Sequence, residues 1–202
     1  MHAAPKSLPA SERRSATVDA VVALAALHNP SEITTTAIAR QMGLTQGALF
    51  KHFPTKDAVL QSVMEWVADS LLARVDKAVQ SASSPLNALE SLFLAHVQFV
   101  ASHPGVPRIV FSELQRAKPS GARRVVDTLL RRYSERVSHL IRDAKVSGEV
   151  DEAIDAEAAA VLFVGTIQGL VMQSLMHGDA SRILRDAPRV FVLYRRGIER
   201  AV

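Results

Sequence analysis

Apolar residues recur along this chain at steps of three and four, and no stretch sustains the strict alternation that marks a half-buried strand. From Glu12 onward, Ala16, Val18, Ala20, Val21, Leu24, Ala25 and Leu27 build a broad apolar stripe, which predicts a first helix closed by Asn29-Pro30-Ser31. A short second helix is expected from a Thr34 cap to residue 42, with Gly43 where a left-handed residue would end it. Thr45 can cap a third, running from 46 to 52 or 53 and stopped by Pro54. Thr55 can cap a long fourth, in which Leu60, Val63, Met64, Val67, Leu71, Val75 and Ala78 share a face. Ser84 and Pro85 open a fifth that carries Leu89, Leu92, Phe93, His96, Phe99 and Val100. A sixth is expected over residues 108–115. The seventh, from 123 to about 146, has a basic outer face that reads as solvated, with Val126, Leu129, Leu130, Tyr133, Val137 and Leu140 inward. The acids Glu149, Asp151, Glu152, Asp155 and Glu157 lead into an eighth helix and complement its positive end. That helix is apolar nearly all round, which predicts cover on more than one side. Pro188 reads as the start of a ninth, ending near residue 201. The expected fold class is all-α, with about nine helices: a three-helix head on a larger helical body.

The second and third helices, joined by Gly43-Leu44, have the spacing of a helix-turn-helix. Ile38, Ala39, Leu44, Leu49 and Phe53 fall where they pack the two helices together and onto the first. Gln46, Gly47, Phe50 and Lys51 fall together on the opposite face of the third. An amide, a gap, an apolar plate and a cation make a face suited to a major groove. The helix starts at Thr34 and Thr45 leave backbone N–H groups toward phosphate.

Charge agrees with a polyanionic partner. The net charge is +4, and residues 1–56 hold six Lys/Arg against three Asp/Glu, while the remainder holds eighteen against seventeen. Cysteine is absent, which removes disulfides and thiolate metal sites. The first ten residues contain no apolar run of the secretory type, and the greasy stretch 158–172 is short of the roughly 20 residues of a membrane span. A cytoplasmic protein with no membrane segment is expected. There is no GxGxxG, Walker loop, HExxH, GxSxG or SxxK, and the seven histidines are scattered. Neither an enzyme, a cofactor nor a metal site is expected.

The run Thr45-Gln46-Gly47-Ala48-Leu49-Phe50-Lys51-His52-Phe53-Pro54-Thr55-Lys56-Asp57 resembles the recognition-helix signature of tetracycline-repressor (TetR) type regulators, and 34–39 resembles their second helix. The resemblance covers residues 12–60 and implies a homodimer on a near-palindromic DNA operator, acting as a repressor released by a small apolar or amphipathic effector. It implies that Gln46, Gly47, Ala48 and Lys51 lie against base edges or adjacent backbone, and that Thr34, Thr36, Thr45, His52 and Lys56 meet phosphates. Phe50 departs from the family's usual tyrosine, so it would pack on sugar or a thymine methyl instead of donating to phosphate. The implied organisation is a flexible tail over 1–11, the DNA-binding domain over 12–54, and an effector-binding and dimerisation domain over 55–202.

In the body, the last two helices resemble the family's dimer interface, with Val161, Gly165, Gly169, Phe191, Tyr194 and Ile198 as candidates; a monomeric core is the alternative. Trp66, Phe93, His96, Phe99, Phe111, Phe163, Gln168 and Met172 lie on helices that surround the family's effector cavity. Aromatics at helical spacing also suit plain core, but His96 and Gln168, polar on apolar faces, each need a partner. A DNA binder with an architectural or protein-recruiting role and no effector is the remaining alternative.

Overall fold

The structure, a computed structural model, describes residues 10–200, with side chains from residue 12. Residues 1–9, most of the expected tail, and residues 201–202 lie outside the described residues. Among those described are nine α-helices and no strand, the all-α fold expected. They are α1 (Ala10–Leu27), α2 (Thr35–Gln41), α3 (Gln46–Phe50), α4 (Lys56–Gln80), α5 (Pro85–Ser102), α6 (Gly105–Leu114), α7 (Gly121–Val146), α8 (Ala156–His177) and α9 (Ser181–Ile198). A short 3-10 turn, Pro30–Glu32, follows α1.

The helix starts obey local chemistry. Thr34, Thr45 and Thr55 accept from the N–H groups of Ala37, Ala48 and Ala58, and Ser84 accepts from Asn87 with Pro85 behind it. The acids before α8 are divided between two tasks. Asp155 caps α8, accepting from Glu157 and Ala158 at 2.9 and 3.1 Å, whereas Glu149 accepts from the Ser84 hydroxyl and the Leu86 N–H at the start of α5. Backbone bonds from Asp151 to Ile198 and from Arg200 to Glu149 tie the end of α9 to the segment before α8.

Apart from shifts of two or three residues at helix ends, three elements differ from expectation. α6 begins at Gly105, because Pro107 falls in its first turn, where a missing N–H breaks no helix bond. α9 begins at Ser181, so Pro188 lies inside the helix on its exposed side. α8 runs for 22 residues and contains an 18-residue window of mean hydropathy 1.6, long and apolar enough by composition to cross a membrane, whereas the sequence estimate stopped short. Among the described residues it is covered on one face only.

The described chain divides into two compact units, and α4 and α7 each contribute to both. The first contains residues up to Val67 and Gly105–Val125, so α6 belongs with the helix-turn-helix. Its core takes Val18, Val21 and Ala25 of α1, Ile38 and Ala39 of α2, Leu49 of α3, Val59, Val63 and Met64 of α4, and Val106 and Ile109 of α6. α1 packs closely on α6. The second unit contains Ala68–Pro104 and Val126–Val202. There α5, α8 and α9 enclose Phe93, Phe163, Phe191 and Tyr194, with ring centroids 5.2 to 5.4 Å apart from Phe93 to Phe163 and Phe191, and from Phe163 to Tyr194. The Tyr194 hydroxyl donates to the Ala159 carbonyl at 3.0 Å, so burying its ring strands no polar group.

Candidate nucleic-acid interface

The sharp turn between α2 and α3 rests on Gly43, at φ 67°, whose N–H bonds to Arg40; the Leu44 N–H bonds to Ala39 at 2.8 Å. α3 then buries Leu49 and leaves Thr45, Gln46, Gly47, Phe50, Lys51 and His52 exposed, with Ala48 half-buried. Thr34 and Thr36 of the α2 start are exposed as well. Phe50 is 40% exposed, an apolar plate in an otherwise polar face. No atom lies within 4 Å of where a Cβ on Gly47 would sit, so that position is open to close approach from outside. The Gln46 amide is already engaged: its Nε2 donates to Thr35 Oγ1 at 2.7 Å.

Beyond the capping bonds of Thr34 and Thr45, two of the expected phosphate ligands have structural partners. His52 is hydrogen-bonded to Arg13 of α1, a residue the sequence reading did not single out, although it belongs to the basic excess of the head. Lys56 is half-buried, and its ammonium donates to the Ser31 carbonyl at 3.1 Å. Burial and then the Arg116 guanidinium hold its pKa below the usual lysine value, against the raising effect of Asp57 and Glu113. Arg116 in turn bonds Asp57 at 2.9 Å and the buried Glu113 at 3.3 Å, and Glu113 also accepts from Ser120. This network joins the start of α4 to the end of α6. Nothing local in the sequence marks it, because its members come together only when α6 packs back on the head.

In the second unit the expected sites are redistributed. Phe191, Tyr194 and Ile198, expected at a dimer surface, are buried in the protomer's own core, because the α9 face that carries them packs on α5 and α8. Val161, Gly165 and Gly169 are exposed on the outer face of α8. Gln168 and Met172, expected in a pocket, lie on that same open side, since α8 turns its Phe163–Ile167–Leu170 stripe inward instead. Around Gly165 and Gly169 stand Val161 at 72% exposure, Leu162 at 58% and Met176 at 76% on α8, with Val192 and Leu193 exposed on α9. Phe93 and Phe163 are fully buried in the aromatic cluster, and buried Phe99 has the Arg74 guanidinium 5.5 Å over its ring. Trp66 and Phe111 are half-buried and belong to the first unit.

His96 finds its polar partner in Tyr133, hydrogen-bonded at 2.9 Å with the rings edge to face. Burial lowers the His96 pKa to about 4 and raises that of Tyr133, so both are neutral at physiological pH. A histidine depressed from 6.5 to about 4 binds its proton more readily unfolded than folded. Stability from this group is therefore present above pH 6.5 and is lost as pH falls toward 4, at up to about 1.4 kcal/mol per pH unit. Thermal melts between pH 7 and pH 4 should show a shallower decline for His96→Gln than for wild type; parallel curves would refute the assignment.

Comparison with known proteins gives a consistent picture. Residues 18–63 match the family described as "Bacterial regulatory proteins, tetR family", and residues 112–188 match "Tetracyclin repressor-like, C-terminal domain". The nucleoid occlusion factor SlmA of Marinomonas sp. is 23% identical over 160 residues, covering 79% of this chain and 81% of that one. Among solved structures, the fatty acid degradation regulator FadR from Bacillus halodurans superposes at a TM-score of 0.82 with 19% identity, over 94% of this chain and 96% of that one. FadR from Bacillus subtilis, solved in complex with stearoyl-CoA, superposes at 0.80 with 20% identity, over 91% and 98%. Both domain matches fall in register with the helix-turn-helix and the helical body described above, and the chain belongs to the TetR family of DNA-binding transcriptional regulators.

Proposed function

We propose that this protein is a repressor that binds a near-palindromic operator as a homodimer, laying two copies of α3 in successive major grooves about 34–36 Å apart. The observation that carries the reading is the outward face of α3, where Gln46, Gly47, Phe50 and Lys51 stand exposed beside two threonine-capped helix starts. Gln46, Gly47, Ala48 and Lys51 meet base edges or the adjacent backbone, and Phe50 packs on sugar or a thymine methyl. Thr34, Thr36, Thr45 and His52 meet phosphates, with Arg13 beside His52 adding charge there. Lys56 meets phosphate too, with donors left over from its bond to the Ser31 carbonyl. The open apolar strip of α8 and α9 takes the second copy, as family membership implies. Binding to chromosomal DNA makes the cytoplasm the place of action.

A small apolar or amphipathic effector in the second unit shifts the separation of the two heads, with a coupling of about 1–3 kcal/mol. Support comes from the stearoyl-CoA complex of the Bacillus subtilis neighbour, and from the His96–Tyr133 pair, polar groups brought together between the apolar stripes of α5 and α7. A second reading, a DNA-bound architectural or recruiting protein with no effector, is favoured by the relatives named nucleoid occlusion factor and by the close aromatic packing of Phe93 and Phe163.

Sequencing of genomic fragments captured by the protein, with duplex affinity followed against salt, tests both. Affinity should fall log-linearly with salt, with a slope of about −0.9 per phosphate contacted. Sites confined to one or a few promoters support the repressor, whereas sites dispersed over the chromosome support the architectural reading. Absence of salt-dependent duplex binding would defeat both.

A further inference from the structure

Gln46 is the first residue of α3 and Thr35 the first of α2, each directly after the threonine that caps its helix. The Gly43 turn brings these two starts together, and Gln46 Nε2 donates to Thr35 Oγ1 at 2.7 Å. Gln46 is exposed and Thr35 half-buried at the start of α2, so the bond ties an exposed amide of α3 to the neighbouring helix. A primary amide carries two N–H donors and one carbonyl acceptor. With one N–H spent on Thr35, the carbonyl oxygen and the other N–H remain. That acceptor and donor match the N6 amino group and N7 that adenine alone presents together in the major groove. An exposed glutamine otherwise samples many rotamers, and holding it before contact removes an ordering cost from binding.

We propose that Thr35 is a positioning residue for sequence readout: it holds the Gln46 amide so that each protomer specifies an adenine opposite the start of α3. The inference rests on the proposed role of Gln46 as a base reader. Thr35 touches no base; it acts through Gln46.

The test selects preferred sites from a randomised duplex library with the full-length protein, as wild type and as Thr35→Val, Thr35→Ser and Gln46→Ala. Valine keeps the shape and β-branching of threonine and removes only the hydroxyl, while serine restores it. Wild type should favour adenine at one position of each half-site by about tenfold. Gln46→Ala should lose that preference, Thr35→Val should reduce it to about twofold at that position alone, and Thr35→Ser should keep it. If Gln46→Ala loses the adenine and Thr35→Val keeps it, the positioning role is overturned while the reading of Gln46 stands. If Gln46→Ala keeps every preference, the base-reading role fails, and the proposal with it. Uniform loss of affinity in Thr35→Val, with unchanged base preferences, would make Thr35 a backbone contact and overturn the proposal. Should Thr35→Val melt early, preferences are read from Thr35→Ala, where loss of the adenine must again be specific to that position for the proposal to survive.

Discussion

Gly169→Leu is expected to convert the protein to monomer and to weaken operator binding by about two to four orders of magnitude, while each protomer stays folded. Gly169 lies mid-way along α8 on its exposed side, and a Cβ built there meets nothing within 4 Å. Within the protomer the substitution therefore collides with nothing. Replacing glycine in a helix interior even adds roughly 0.5–1 kcal/mol of helix stability. The damage falls on association. In a two-fold assembly built on α8 and α9, both copies push a leucine into the seam, each at an overpacking cost of about 1–3 kcal/mol. A monomer forfeits the second head, whose binding is otherwise intramolecular, and with it an avidity of about 10²–10⁴. Sedimentation should show the monomer, circular dichroism an unchanged helix content, and isolated half-sites an affinity near that of wild type. A dimer of undiminished stability would remove this face of α8 from the interface.

Gly105→Ala should have the opposite character, destabilising the protomer itself. Gly105 is the first residue of α6, where α6 crosses α1. A Cβ there would lie 2.1 Å from the Val22 carbonyl oxygen and 2.9 Å from the Ala26 nitrogen, both of them backbone atoms. Backbone cannot turn aside as a side chain can, so α1 and α6 must separate along a core that includes Val18, Val21, Ala25, Val106 and Ile109. The expected loss is about 3 kcal/mol, the upper part of the overpacking range. For a chain of this size that lowers the melting temperature by roughly 6–12 °C. Gly121→Ala is the internal control. Its Cβ would also come within 2.1 Å of a neighbour, but that neighbour is the Gln61 side-chain oxygen, which can rotate away. Melting of Gly105→Ala at the wild-type temperature would show that the α1–α6 crossing relaxes freely.

The helix-turn-helix was legible because everything that makes it is local. Thr34 and Thr45 cap the helices whose N–H groups lie three residues on, and Gly43 takes the positive φ that closes α2. The start of α9 lies elsewhere because proline's preference for helix starts is only local: the helix begins at Ser181 and carries Pro188 inside it on the exposed side, at the cost of one backbone hydrogen bond. Lys56 shows the same limit at a functional position. Its place in the recognition signature suggests phosphate, and what no local signal shows is the further bond from its ammonium to the Ser31 carbonyl, 25 residues earlier in the chain.

By itself, then, the sequence determined the helices, their caps, the turn between α2 and α3 and the outward set of Gln46, Gly47, Phe50 and Lys51, since these depend on hydrogen bonds and periodicities spanning only a few residues. Only the tertiary structure decided which apolar stripe of an amphipathic pair is core. α9 carries two stripes: Ile183, Ala187, Phe191, Tyr194 and Ile198 are buried against α5 and α8, while Leu184, Val192 and Leu193 remain open. α8 divides likewise between Phe163 and Ile167 inside and Val161, Leu162 and Met176 outside. Hydrophobicity places both kinds of residue on a helix surface and ranks them alike. What separates inside from outside is the position of neighbouring helices that arrive from distant parts of the chain, a constraint that no window of the sequence contains.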